Sequence, residues 1–374
     1  VQTKLGNFVT EHLQERFDVQ ISVEQIDLSY LGYAQLQGVL IKDHHDAVMI
    51  SSKKLETSLL SWKKILENKL DLGKVTLGTT VFNLKTYKGE SKTNLTLFSS
   101  RLQKKSKRKN QLFELRTNQI AARGIDFTIV NENKQQDTLV AFYKSIKGDL
   151  FDFELEGPNV AAKLRDFSLE EKHGIAVVSF RTDFSYTPSQ MKFYNTVLNT
   201  ENTSLKAAIV FDYSRKGLQK FNDSVFIKAK FKDSYVYAQD LKKIAPQFSG
   251  EETYTLDMQF QGSLNDFKLL NLDVFSNENF VLKGNYHLLN STKRDRSFVL
   301  KGVTNRFASD YDELKKMLPT IVGERLPPAF QRIGNFSMEG ATSIAKDTIG
   351  LDITVDSDLG TVAAQLRLNN AYKI

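Results

Sequence analysis

The alternation of apolar and polar residues is the feature that most constrains what this chain can fold into. Leu205, Ala207, Ile209, Phe211 and Tyr213 occupy every second position. So do Tyr254, Leu256, Met258 and Phe260, and later Leu270, Leu272 and Val274. Successive side chains of a β-strand point to opposite faces, so a period of two gathers each apolar set on one side of a sheet. Lys206, Asp212, Asp257, Gln259 and Asp273 fall on the other side. The chain is therefore expected to be mainly β, with long antiparallel sheet that is apolar on one face and wet on the other.

Residues 2–17 break this rhythm. Leu5, Phe8, Val9, Leu13 and Phe17 recur at helical spacing against Lys4, Glu11, Gln14 and Arg16, which predicts an amphipathic helix that caps the sheet. Val1 opens straight into this helix without a cap or an initiator Met, so the start is read as trimmed, with an upstream anchor expected. Strands then follow as a meander over 19–91, with a polar turn at 42–46, a helical stretch at Ser58–Glu67, and a hairpin of 69–77 and 79–87 about Gly78. Residues 92–111 carry the cationic run Arg101–Asn110 and are read as a basic linker. Strands resume over 112–374. Two short helices interrupt them, at Gln239–Ala245 and Asp310–Leu318, each stopped by a proline. The expected division is a capping helix at 1–18, a first β module at 19–91, the linker at 92–111, and continuing β repeats at 112–374.

Composition excludes several classes. Hydrophobic residues make up 41% of the 374, too many for a disordered chain. No run of about 18 apolar residues occurs, so no segment is long and apolar enough to cross a membrane as a helix, and none reads as a secretory signal. Cys is absent, which removes disulfides and thiolate metal sites. The net charge of +7 suits anionic partners. The cationic run lacks interleaved aromatics on which bases could stack, so nucleic acid is not the expected partner.

No catalytic pattern stands out. There is no glycine-rich phosphate loop, dinucleotide fingerprint or serine elbow. His44 and His45 are adjacent, so in an extended segment they point apart and cannot chelate together, and no third ligand lies at zinc-motif spacing. The expectation is a non-enzymatic protein with no catalytic residues, no metal and no cofactor.

If the apolar faces packed on each other the result would be a closed sandwich. The alternative is a sheet folded lengthwise into an open groove, whose lining needs an amphipathic guest because each exposed large apolar side chain forfeits about 1.5–3 kcal/mol. By parity, the lining positions are Ile21, Val23, Ile26 and Leu28 near the start, then Ile125, Phe127, Ile129, Phe151 and Phe153. Further along they are Leu205, Ile209, Phe211, Val225, Ile227, Leu256, Met258, Phe260, Leu270 and Leu272, and at the end Leu351, Ile353 and Val355. Acyl chains fit such a lining, with headgroups in water at the seam. The other reading is a scaffold, a sandwich or solenoid that offers strand edges to protein clients.

Two stretches carry a family resemblance. One is the helix running into Ile21-Ser-Val-Glu-Gln-Ile-Asp-Leu-Ser-Tyr30 and then Leu36-Gln-Gly-Val-Leu-Ile-Lys-Asp43. The other is Gly262-Ser-Leu-Asn-Asp-Phe-Lys-Leu-Leu-Asn-Leu-Asp273 with Leu282-Lys-Gly284. Both resemble the TamB family of the AsmA-like superfamily, closest to versions from Bacteroidetes. That resemblance implies an elongated, lengthwise-folded antiparallel β-groove, anchored in the inner membrane and crossing the periplasm. It also implies phospholipid movement toward the outer membrane, support of outer-membrane biogenesis, and an Omp85-type barrel as partner of the full-length protein. No catalytic residue is implied.

Overall fold

The computed structural model describes residues 20–29, 33–59, 69–104, 114–135, 138–171, 174–214, 217–244, 250–276, 279–293, 297–313 and 328–369. The predicted helix at 2–17 and residues 105–110 of the cationic run lie outside the described residues. The chain is mainly β and divides into two compact units, Val1–Thr187 and Pro188–Ile374.

The first unit holds β1 (Gln20–Ser22), β2 (Gln25–Leu28), β3 (Tyr33–Lys42), β4 (Val48–Leu59), β5 (Lys69–Thr86), β6 (Glu114–Asn131), β7 (Leu139–Glu156), β8 (Asn159–Glu171) and β9 (Ala176–Tyr186). β1 and β2 each pair antiparallel with β3, along different stretches of it, and from β3 on neighbours in sequence pair antiparallel, β5 and β6 excepted. The β5–β6 pair is parallel, from Lys69 opposite Glu114 to Thr86 opposite Asn131. A wholly antiparallel sheet was expected. Parallel neighbours need a crossover of a dozen or more residues, and the segment read as a linker forms part of it. That crossover holds a helix, Asn94–Lys104. Thr93 starts it as an N-cap, its Oγ1 accepting from the Thr96 N–H at 3.2 Å.

The expected hairpin at Gly78 is likewise corrected. β5 runs unbroken through Gly78, which sits opposite Lys54 on β4 and Arg123 on β6. A lone glycine without a second turn residue does not reverse a strand. The helical reading of Ser58–Glu67 falls mostly on residues 60–68, outside the described residues, while Ser58 and Leu59 end β4.

The second unit holds β10 (Gln190–Asn199), β11 (Ser204–Asp212), β12 (Phe226–Tyr237), β13 (Thr253–Gly262), β14 (Asp266–Ser276), β15 (Val281–Leu289), β16 (Val299–Ser309), β17 (Phe336–Ala345), β18 (Thr348–Ser357) and β19 (Gly360–Asn369). From β10 to β19 each strand pairs antiparallel with the next, a simple meander. The predicted helix near 239–245 is Ala238–Ile244. Its Asp240 carboxylate accepts from Thr200 at 2.6 Å and Thr203 at 2.9 Å, tying the helix to the β10–β11 turn. The described residues 311–313 are helical, at the start of the expected 310–318 helix.

Candidate functional site

Residues opposite each other in a ladder share a face, so the register traces apolar rows across the second unit. One row runs Phe193, Ile209, Ala229, Phe260, Leu269, Tyr286, Gly302, Thr342, Leu351, Leu366. A second runs Met191, Phe211, Ile227, Gly262, Phe267, Leu288, Leu300, Ile344, Ile349, Leu368. A third joins Leu256, Val274, Leu282, Phe307, Met338, Val355 and Val362. Aromatic rings also meet between rows, with Phe260 of the first and Phe267 of the second stacked at a centroid distance of 4.6 Å.

The third row stays on the same face because of bulges. β10, β12, β14 and β16, every second strand, each carry one residue more than their partners at the shift. The extra residue swings the backbone so that the next side chain returns to the apolar face. On three of these strands a short polar residue takes the left-handed conformation that this needs: Asn195, Asp233 and Asn271, with φ of 51°, 52° and 50°. A neighbouring strand captures two of the freed amides. Asp257 Oδ1 accepts from Asp233 N–H at 2.6 Å, and Asn285 Oδ1 accepts from Asn271 N–H at 2.8 Å.

The bulges correct two expected lining positions. Leu270 stands opposite Gln259, while its neighbour Leu269 stands opposite Phe260, so Leu270 is on the wet face and Leu269 on the apolar one. In the first unit the left-handed Asp152 (φ 51°) separates Leu150 from Phe153. Phe151 then stands opposite Gln119 and Lys163 and is 37% exposed. Phe153 stands opposite buried Thr117.

Elsewhere in the first unit one row joins Ile21, Ile41, Ile50, Phe82, Phe127 and Tyr143. Ile26, Leu36, Leu55 and Leu77 form another. Ile125 lies opposite Thr80 and Ile146, and Ile129 opposite Leu84 and Ala141. Val23 falls between β1 and β2, and the side chain of Leu28 lies outside the described residues. In the second unit Leu205 pairs with Leu198, Met258 with Phe231, and Ile353 with Gly340 and Ala364, and Val225 precedes Ile227 on the same face.

How far these faces are covered decides what they can hold. Ile26, Ile125, Val225, Ile227 and Leu272 are buried. Ile21, Val23, Phe127, Ile129, Phe153, Leu205, Ile209, Phe211, Leu256, Met258, Phe260, Leu351, Ile353 and Val355 are only half-buried. Side chains in a sealed two-layer core are closed off almost completely. The half-buried members of these rows instead keep part of their surface exposed.

One row on the opposite face of the second unit is rich in cations. It runs Lys228, Gln261, Lys268, His287, Lys301, Ser343, Gly350, Arg367. An open depression of about 840 Å³ lies on that side, over Ala341, Ser343 and Gly350.

A separate polar cluster sits at one end of the first unit. The sequence pattern set His44 and His45 apart, but both imidazoles converge on Glu90: His44 Nε2 lies 2.9 Å and His45 Nε2 2.8 Å from its carboxylate oxygens. The pair occupies a tight turn, not a strand, with Asp46 at φ 61°. Glu90 arrives from 45 residues away, on the turn that follows β5, so no local spacing could have revealed it. Hydrogen bonds donated by His45 and His44 hold the Glu90 carboxyl below its ordinary range.

Buried Asp43 anchors this turn. It accepts from the N–H of His45 (2.9 Å) and Ala47 (3.1 Å), from Tyr87 Oη (2.7 Å) and from Asn94 Nδ2 (3.0 Å). Burial opposes its charge, but these four bonds outweigh burial and keep the carboxyl lowered. Burial and the bond to Asp43 push the Tyr87 phenol upward.

No family model, curated protein or solved structure matches the chain. The arrangement offers extended apolar contact along its rows, and the tight group of His44, His45 and Glu90 lies apart from them.

Proposed function

We propose that this protein is a non-enzymatic lipid conduit. The observation that carries the reading is the set of apolar rows whose side chains are left half-covered. An acyl chain laid along a row would complete the cover, at about 0.8 kcal/mol per methylene withdrawn from water. A chain arriving from a bilayer exchanges one apolar surrounding for another, so its net gain is small and it can slide. Headgroups would stay in water, and no residue performs chemistry. The resemblance to the TamB family supports the same reading, with phospholipid as cargo, a lengthwise groove as the path, and an inner-membrane-anchored, periplasmic place for the longer protein, with its Omp85-type partner.

A second reading, a scaffold for protein clients, is favoured by β19. Among the described residues it pairs only with β18, and Val362 and Leu366 on it are exposed. A client strand could extend the sheet there. The experiment is to denature the purified chain and measure released phospholipid by mass spectrometry against an unrelated β protein handled identically. Lipid well above that background supports the conduit, and background-level lipid refutes it.

A further inference from the structure

We propose that His44, His45 and Glu90 form a binding site for a divalent transition-metal ion of the zinc type. Each residue contributes one ligand atom, and the three atoms lie within 4.8 Å of one another. Zinc holds imidazole nitrogen and carboxylate oxygen at about 2.0–2.2 Å, which sets tetrahedral ligands roughly 3.3 Å apart. The His–Glu separations of 2.8–3.0 Å are only a few tenths of an ångström tighter. Two nitrogens and one carboxylate select a borderline ion such as Zn²⁺, Co²⁺ or Ni²⁺ over Ca²⁺ or Mg²⁺, which prefer all-oxygen shells.

The donors are held by contacts that do not involve them. The Asp43–Tyr87–Asn94 network fixes the turn that carries both histidines, and Asn94 also bonds Asn83 O and Lys85 N–H on β5. Glu90 sits on a turn closed by its own N–H to Tyr87 O at 3.0 Å. Asn133 braces that turn, donating to Glu90 O at 2.8 Å and accepting from Gly89 N–H at 2.7 Å. The geometry therefore does not wait for an ion to create it. His44 Nε2 faces Glu90 and is the nitrogen placed to ligate, while His44 Nδ1 is buried with no hydrogen-bond partner. The His45 side chain is 47% exposed, which leaves an entry path and room for water as a further ligand. A bound ion would clamp the β3–β4 turn to the turn after β5.

The test uses the full chain without a histidine tag, stripped with a chelator. Co²⁺ is titrated by d–d absorption and Zn²⁺ by calorimetry, with circular dichroism to show that each variant is folded. One ion per chain is expected. Glu90→Gln and His45→Asn should each weaken binding by at least about tenfold, since losing even a supporting partner of a ligand costs about 10–100-fold. His287→Asn, a histidine paired with Asp266 elsewhere, should bind like the parent. Zn²⁺ should raise the melting midpoint of the parent and of His287→Asn more than that of the other two variants. Absence of binding, or equal binding by the parent, Glu90→Gln and His45→Asn, overturns the proposal.

Discussion

Replacing Ile209 by aspartate tests whether the apolar rows are open. Ile209 lies in the first row between Phe193 and Ala229 and is half-buried. Complete burial of such a side chain is worth about 1.5–3 kcal/mol, so the share lost here is about 1–2 kcal/mol. On an open face the new carboxylate keeps its water, and the fold, with a typical stability of about 5–15 kcal/mol, survives. Val225→Asp is the control. Val225 is wholly buried on the same face, and an unpaired charge there costs several kcal/mol beyond the lost burial, enough to threaten folding. Lipid binding should show the reverse sensitivity. An acyl chain lying over the carboxylate introduced by Ile209→Asp would strip its water, again at several kcal/mol, so retained lipid should fall roughly a hundredfold. The assay pairs urea denaturation with mass spectrometry of lipid per chain. Unfolding of Ile209→Asp to the same degree as Val225→Asp would mean that the rows are sealed core. A folded Ile209→Asp that keeps the parental lipid load would refute the conduit.

Three further outcomes rest on local chemistry. Asp257→Ala removes the acceptor of the Asp233 bulge amide and should cost about 1 kcal/mol in denaturant melts, whereas Asp233→Gly should be nearly neutral and Asp233→Val should cost about 1–2 kcal/mol, because only the branched residue resists the left-handed backbone. Gly148→Ala should destabilise by about 1–3 kcal/mol, since a Cβ at φ 152° would stand 2.6 Å from the Phe167 ring; parental stability would show that the β7–β8 contact relaxes freely. Burial opposes ionisation of Asp240, yet bonds from Thr200, Thr203 and Lys243 hold its carboxyl below the usual range. Its stabilisation is therefore present above the unfolded value of about pH 4 and lost as pH falls through the lower folded value, so the parent should lose stability more steeply in acid than Asp240→Asn, and parallel acid curves would contradict this.

The mainly β fold was legible because period-two runs such as 205–213 and 254–260 allow little else. The strand ends at 34–41, 349–356 and 361–368 were readable from flanking turn residues. What parity could not carry was the bulge. Asn271 looks like any polar strand residue, yet its left-handed backbone puts Leu269 and Leu272 on one face and Leu270 on the other. The same event at Asp152 turns Phe151 outward. A short Asn or Asp inside an apolar run, repeated on alternate strands, is the signal that marks such a reversal. The parallel β5–β6 pair and the His44–His45–Glu90 cluster were hidden for another reason. Both depend on where a long connection returns, and no local pattern encodes that.

The conduit and scaffold readings place demand on different parts of the sheet, which makes them separable. A lipid tail needs continuity across many strands, and the first two rows cross β10 to β19 with a few small residues among them, Gly262, Gly302 and Ala229. Such a floor is uneven in shape and mostly apolar, which suits a flexible chain better than the fixed side chains of one client. A client strand needs backbone donors at one edge, and for β19 the face behind that edge matters little. A charge at Ile209, on β11 and far along the meander from β19, therefore leaves strand addition intact while it blocks a tail. Loss of function from that single charge, in a chain that still folds, would assign the work to the face and not to the edge.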